Sequence, residues 1–479
     1  MVMQWLLFAA VLSSGLPDHS DGYFPGLKRA HIEKTSMDGQ EGPVILLVVD
    51  AMRPDRMSTY GFDRETTPNL SALADDGLIF TNFYVNGNWT RPTSTTILTG
   101  LPPSMHRVEK QSDRLSLDIP TLAQSLEQGG VVTGAVVGNG NAGSVYGLDR
   151  GFSYYADTVK HWRGLPSAQD VVDLGVPFIK KNVDKSFFLM MFMVDPHDPY
   201  GAPGQYENFF VKDKSVRLVR SPHWERGKYT AAEIERMKAT YDGAVRYVDD
   251  TLGKLFKKLK DMGLYDKSTI IVTSDHGEAF GEHGVFMHAH HLYDEIIRAP
   301  LIIKPAKIGK PGGYNHYLFD TTDLMPTILG HYKIKSAKPL PGNDIMASMV
   351  NPKLNDPNRR VITEFNHFGI QRRTVRSYTR KVIYSAPVDE GEFRATVGKR
   401  SLLPSVSFDK EWVRMYNLAL DPFERNCLYN SKKSNEGHLS QLLMEIRQNR
   451  PQSKRPASDS VKDVDPETLK DLKAMGYID

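Results

Sequence analysis

Five apolar runs limit what this chain can fold into more than any other feature. They are VILLVVD (44–50), VVTGAVVGN (131–139), SFFLMMFMVD (186–195), STIIVTSDH (268–276) and APLIIK (299–304). Each is continuous rather than alternating, the pattern of a strand buried on both faces of a parallel sheet. All but the last finish in Asp or a small polar group. Helical periods separate them. The clearest spans 230–263, where Thr230 and Glu233 stand at capping-box spacing. There Ile234, Met237, Tyr241, Val245, Val248, Leu252, Phe256 and Leu259 recur every three or four residues and form one apolar face. Strands alternating with helices predict an α/β fold with a mostly parallel sheet. In such sheets ligands bind beyond the carboxyl ends of the strands, and Asp50, Asp195, Asp275 and His276 all stand at such ends.

From about residue 346 the texture changes. RRVITEF and RTVRSYTRKVIYSAP read as short strands and HLSQLLMEIRQ as the next helix, which predicts a smaller C-terminal α+β domain. The expected organisation is a signal peptide and linker in 1–42, a catalytic domain in 43–345 and a C-terminal subdomain in 346–452. Residues 453–479 then read as a polar, Pro-containing linker and a short amphipathic helix. The opening MVMQWLLFAAVLSSGL has the length of a signal peptide and is too short to span a bilayer, although no Lys or Arg precedes its apolar run. The expectation is export, periplasmic or secreted, with a cytoplasmic location left open and no transmembrane span in the mature chain.

Sixty Lys+Arg against 57 Asp+Glu leave a net charge of +3, which excludes a strongly basic nucleic-acid footprint and remains compatible with an anionic substrate. The single cysteine, Cys427, excludes an intrachain disulfide and a cysteine-based zinc site. Two acidic strand ends far apart in sequence, Asp50 and the Asp275-His276 pair, could converge on one divalent cation. Carboxylates with an imidazole suit Zn²⁺ or Mn²⁺, whereas all-oxygen sites suit Ca²⁺ or Mg²⁺. A lone Asp at a strand end would more simply cap a helix; Asp-His-Gly after a buried strand, with more His nearby, points to a ligand set. The stretch VNGNWTRPTSTTILTG (85–100) clusters Thr90, Thr93, Ser94, Thr95 and Thr96, residue types that usually supply turns and helix caps.

The segment VVDAMRPDRMSTYGFDRETTPNLSALADDGLIFTNFYVNGNWTRPTSTTILTGLPPSMH resembles the opening of the sulfatase-like branch of the alkaline phosphatase superfamily. TIIVTSDHGEAFGEHGVFMHAHHLYDEIIRAPLIIK is similar to that family's second metal segment, and lesser matches run from residue 43 nearly to the C-terminus. The resemblance implies an alkaline-phosphatase-like α/β fold and a metal-dependent ester hydrolase or transferase. It also implies a nucleophile two residues before a proline, which is Thr90. A threonine hydroxyl is a poor nucleophile until a metal or base activates it. A cation shared by Asp50, Thr90, Asp275 and His276 would do so and polarise the attacked group. The following helix would offer N–H groups to an anionic substrate.

Departures from the family pattern narrow the chemistry. Sulfatases carry Cys or Ser at the nucleophile, oxidised to formylglycine, and Thr90 cannot become that aldehyde. They place Arg where this chain has Ser94; many have a second Asp at the position of Ala51, and often Asn at that of His276. Thr with Asp-His instead resembles the phosphodiesterases, phosphonate monoester hydrolases and phosphoethanolamine or phosphoglycerol transferases, which pass through a phospho-threonine. The expected substrate is a small anionic ester of a glycan, lipid or small molecule, more in keeping with phosphate than with sulfate. A sulfatase without formylglycine and a non-catalytic binder of an anionic head group are the alternatives.

His197, in DPHDPY, matches a family position that touches substrate, and His288 resembles the Leu-His-Gly of phosphoethanolamine transferases. Both are expected as leaving-group acid or phosphate contact. His290 and His291 read as bland neighbours and His283 as a structural hydrogen-bonder. One metal is expected; a second would draw on Asp195, His197 or His288, but DPHDPY lacks the Asp-x-x-x-His spacing of dinuclear relatives. Arg91 could reach an anionic oxygen, and Asn139 and Asn141 could line the site.

Overall fold

The strand Val44–Val49 (β1) is buried along its whole length. Val44, Leu46 and Val48 face one core and Ile45, Leu47 and Val49 the other, as the period-2 geometry of a strand requires. Burial on both faces is why the sequence shows a continuous apolar run. The protein is seen here as a computed structural model that describes residues 42–157, 165–222, 229–306, 312–397, 407–429 and 437–448. The N-terminal apolar run and the terminal helix expected within 453–479 lie outside the described residues.

Leu78–Tyr84 (β2), Val132–Val137 (β3), Tyr154–Asp157 (β4), Phe187–Met193 (β5) and Thr269–Thr273 (β6) are the next strands of the main sheet. Ala279–Phe280 (β7) and Phe286–Met287 (β8) form a separate two-stranded hairpin. Leu301–Lys304 (β9) and Tyr314–Asp320 (β10) complete an eight-stranded sheet in the order β10-β2-β9-β6-β1-β5-β3-β4. Neighbouring pairs are parallel except those of β9, which runs against both β2 and β6. β9 is the one apolar run without a polar finish, and its reversed direction explains that. Its carboxyl end lies at the opposite edge, where Lys304 Nζ donates to Ser268 O at 3.2 Å.

Helices cover both faces. The 31-residue helix Ala231–Asp261 begins at Thr230, whose side chain and that of Glu233 cap each other's backbone N–H groups. Met237, Tyr241, Val245, Val248, Leu252, Phe256 and Leu259 are buried along it. The other face carries the helix Thr90–Thr99, buried at every position. After the main sheet come the antiparallel strands Val361–His367 (β11), Ile370–Arg376 (β12), Arg380–Ser385 (β13) and Trp412–Asn417 (β14), backed by the helix His438–Gln448. Leu442, Leu443 and Ile446 of that helix pack on Val375, Val382, Tyr384, Val413 and Met415. Among the described residues no helix is long and apolar enough to cross a membrane.

Candidate active site

Asp50 follows β1, Asn139 follows β3, and Asp275 and His276 follow β6, so the carboxyl ends of the adjacent β6 and β1, and of β3 beyond β5, deliver their side chains to one edge of the sheet. Thr90 opens its helix from the adjoining face. All five residues are buried. His276 Nε2 lies 3.4 Å from Asp50 Oδ1, 3.3 Å from Asp275 Oδ2 and 3.4 Å from Thr90 Oγ1. The Asn139 amide donates to Asp50 Oδ2 at 2.6 Å and to Thr90 Oγ1 at 3.3 Å.

The backbone after Asp50 turns sharply to keep this geometry. Ala51 takes a φ of 55°, a left-handed conformation that costs a non-glycine residue about 1 kcal/mol or more. Tyr241 holds it there: its hydroxyl donates to Ala51 O at 2.7 Å and accepts from Arg53 N at 2.9 Å. Ala51 N also donates to Asp275 Oδ1 at 3.3 Å, tying the two acidic strand ends together.

The donor set fits a divalent cation. Asp50 Oδ1 and Asp275 Oδ2 are buried without a hydrogen-bond partner. His276 Nδ1 is 2.9 Å from Gly277 O, which places the proton on Nδ1 and leaves the Nε2 lone pair among the carboxylates. Burial lifts Asp50 to a pKa of about 6. Burial and then the Asp50 charge lift Asp275 to about 7, while burial lowers His276 to about 3. Clustered acids raised this far would exchange protons for a cation, because metal binding requires the deprotonated ligands.

His197 and His288 stand over this cluster. The His288 ring stacks on His276 with centroids 4.2 Å apart, and the His197 ring lies 4.8 Å from His288 and 6.3 Å from His276. Their charge states diverge. Burial works to lower His197, but the carboxylates of Asp50, Asp198 and Glu278 outweigh it and hold the ring at about 10. Burial, then the His197 charge, lowers His288 to about 3.

Several expectations change. Asp195 accepts Ala168 N–H at 2.8 Å and caps the helix Ala168–Lys181, so the acid gathered with His197 and His288 is Asp198 instead. Arg91 does not face the nucleophile's pocket. Its guanidinium packs 3.6 Å over the Tyr146 ring and donates to Asn141 Oδ1 at 2.7 Å and to the carbonyls of Lys110 and Gln111. Asn141 is therefore a partner of Arg91, while Asn139 belongs to the cluster. Thr95 and Thr96 donate to the carbonyls of Arg91 and Pro92 within their helix. His283 bonds Glu295 Oε1 at 2.7 Å, and His291 bonds Arg372 at 3.2 Å beneath the second sheet. Sequence reasoning did not single out Asp198 or Glu278. The available signal was adjacency, one residue after His197 and two after His276.

The sulfatase family model matches residues 43–334, which include every residue of this cluster. An ulvan-active sulfatase of Formosa agariphila is 25% identical over 416 residues, covering 80% of this chain and 76% of that protein. A structure solved in complex with its substrate D-glucosamine-2-N,6-O-disulfate superimposes with a TM-score of 0.69 at 20% identity, covering 89% of this chain and 100% of that one. The phosphonate monoester hydrolase of Agrobacterium radiobacter does so with a TM-score of 0.65 at 18% identity, covering 85% and 94%.

Proposed function

The chain belongs to the sulfatase family of metal-dependent hydrolases, and from that premise we propose that it acts on phosphate esters, phosphodiesters or phosphonate monoesters, through a covalent Thr90 intermediate. The observation that carries this reading is the threonine itself. It stands at the first turn of the buried helix, within 3.4 Å of His276 Nε2 and 3.3 Å of the Asn139 amide, and it cannot be oxidised to the aldehyde of formylglycine. Asp50, Asp275 and His276, with Thr90 Oγ1, would hold one divalent cation, Zn²⁺ or Mn²⁺ by the mix of carboxylate and imidazole donors. A cation bound there lowers the pKa of the threonine hydroxyl and polarises the ester.

The chain's own groups supply the rest. Thr90 gives its hydroxyl proton to solvent water, and Asn139 orients the oxygen and stabilises the charge it gains. The first N–H groups of the helix lack helical acceptors and face an anionic ester oxygen. Thr90 Oγ1 bonds to phosphorus as the bond to the leaving oxygen breaks, and that oxygen takes the proton held on His197. Water or an acceptor alcohol, giving its proton to the now neutral His197, then displaces the threonine. The same reading has the ester's charged part enter from the side of His197 and His288. It assigns the chemistry to residues 43–345 and export to the N-terminal segment.

The second reading, a sulfatase working without formylglycine, is favoured by the names of the relatives, among them the ulvan-active sulfatase. The two separate on a panel of phosphodiester, phosphate monoester and sulfate ester sharing one nitrophenol leaving group, assayed with Zn²⁺ or Mn²⁺. The phosphodiester is expected to turn over fastest, with Thr90→Ala lowering the rate at least ~10³-fold. A dominant sulfate ester, or a Thr90→Ala variant of undiminished activity, sinks the phosphoryl reading.

A further inference from the structure

Three imidazoles converge on this site, and each places Nδ1 within hydrogen-bond distance of an oxygen. His276 Nδ1 faces Gly277 O at 2.9 Å, His197 Nδ1 faces Asp198 O at 2.5 Å, and His288 Nδ1 faces Glu278 Oε1 at 3.2 Å. The first two acceptors are backbone carbonyls of the next residue. The third is different: a carboxylate ten residues away in the chain, fully buried, whose burial is costly unless it is paired. If packing were the only need, an apolar or amide side chain would serve.

The charge of His197 acts on Glu278 through space, but no cation bonds its carboxylate among the described residues. Arg53 donates to the carbonyl of Glu278, not to its carboxylate, and its side chain is otherwise engaged with Asp55 and Glu282. The hydrogen-bond partner of Glu278 Oε1 is the ring of His288. That ring stacks at 27° on His276, and no partner occupies its Nε2 among the described residues. Glu278 also sits on a fixed backbone. Its N–H donates to Glu295 O at 3.1 Å and the preceding Gly277 N–H to Ile296 O at 2.7 Å, so the main chain that carries the carboxylate is pinned beside the ring.

We infer that Glu278 is a positioning residue for His288: it fixes the ring as the Nδ1–H tautomer and turns the Nε2 lone pair toward the ester bound at Thr90. This rests on the reading of the site as that of an ester hydrolase or transferase. A carboxylate that orients an imidazole in this way sets which nitrogen faces the substrate, and losing it leaves the ring present but wrongly protonated.

The test reads the tautomer directly. The full chain, labelled with ¹⁵N-histidine and loaded with Zn²⁺, is examined by long-range ¹H–¹⁵N correlation, with His288 assigned from the signals missing in His288→Gln. Wild type and Glu278→Gln, whose amide oxygen still accepts, are expected to show protonated Nδ1 and bare Nε2. Glu278→Ala is expected to shift the ring toward Nε2–H. On the preferred ester of the panel, Glu278→Ala should lower kcat by ~10–100-fold at unchanged KM and zinc content, with Glu278→Gln recovering most of the loss. An Nε2–H ring in wild type, an unchanged tautomer in Glu278→Ala, or equal damage in the two variants overturns the inference. So would two zinc ions per chain falling to one in His288→Gln, since the ring would then be a ligand. The tautomer is read without turnover, so an active Thr90→Ala variant would sink the phosphoryl reading and leave this result standing.

Discussion

His106 is buried beside the helix that carries Thr90, with Nδ1 accepting the Val108 N–H at 3.0 Å and Nε2 3.2 Å from Thr96 Oγ1. A proton on Nδ1 would set N–H against N–H in a dry site. Burial accordingly lowers this histidine from 6.5 to about 3. The folded state therefore resists a proton that the unfolded chain takes up readily. Stability from this residue is complete above pH ~6.5 and is lost as pH falls toward 3, at up to about 1.4 kcal/mol per pH unit. Urea midpoints between pH 4 and 8 should show this slope, and His106→Gln should flatten it. An unchanged slope means that other groups dominate. Arg91 gives the complementary lesson. Adjacency to Thr90 suggested substrate contact, but on a helix successive side chains diverge by 100°, and this one ends over Tyr146. Chemistry was legible where residue type and strand end coincided, as at Asp50, Asp275 and His276. Asp195 satisfied the same rule and caps a helix, because an acid at a strand end serves either purpose until the partner element is known.

At the scale of elements, the Asp-His-Gly turn shows why its glycine is there. A Cβ on Gly277 would fall 2.1 Å from Glu295 O and 3.1 Å from Glu295 C, both backbone atoms that cannot swing aside. Gly277 and Glu278 pair through their N–H groups with the Ile296 and Glu295 carbonyls. The turn that ends β6 is thus pressed against the short helix Asp294–Ile297. Gly277→Ala must move one or the other, and the move passes directly to His276 and Glu278 on either side. Zinc affinity is expected to fall at least ~10-fold by calorimetry, with a stability loss of about 1–3 kcal/mol; unchanged zinc binding would mean the turn yields without disturbing His276. The elements themselves were legible from period: the apolar runs became strands, and Thr230 and Glu233 capped the long helix as their spacing implied. The direction of β9 was not. A strand buried on both faces has the same composition whichever way it runs, and only its missing polar finish hinted at the reversal.

At the scale of the molecule, what matters is how the second sheet is held against the first. Asp294, in the segment just after His288, is buried between Arg376 at 2.8 Å and Lys381 at 2.7 Å, and Lys381 also meets Glu424 at 2.7 Å. Arg376 further packs 3.8 Å over the Tyr84 ring of β2. Burial works to raise Asp294, but the Arg376 and Lys381 charges overcome it and hold the carboxyl below its ordinary value. Its contribution is therefore present above pH ~4 and lost only as pH falls below that, a window largely separate from that of His106. Removing the carboxylate takes an ion-pair partner from two buried cations at once, and breaking a buried pair in this way costs about 3–5 kcal/mol. Asp294→Ala should lower the urea midpoint accordingly at pH 7. As pH falls from 4 toward 2 the gap to wild type should narrow, because protonation of the carboxyl progressively cancels the same interaction. A variant that instead stays parallel to wild type down to pH 2 would show that Asp294 acts through packing, and that apolar contacts of the second sheet, such as Phe365 and Ile383 in the shared core, carry the docking.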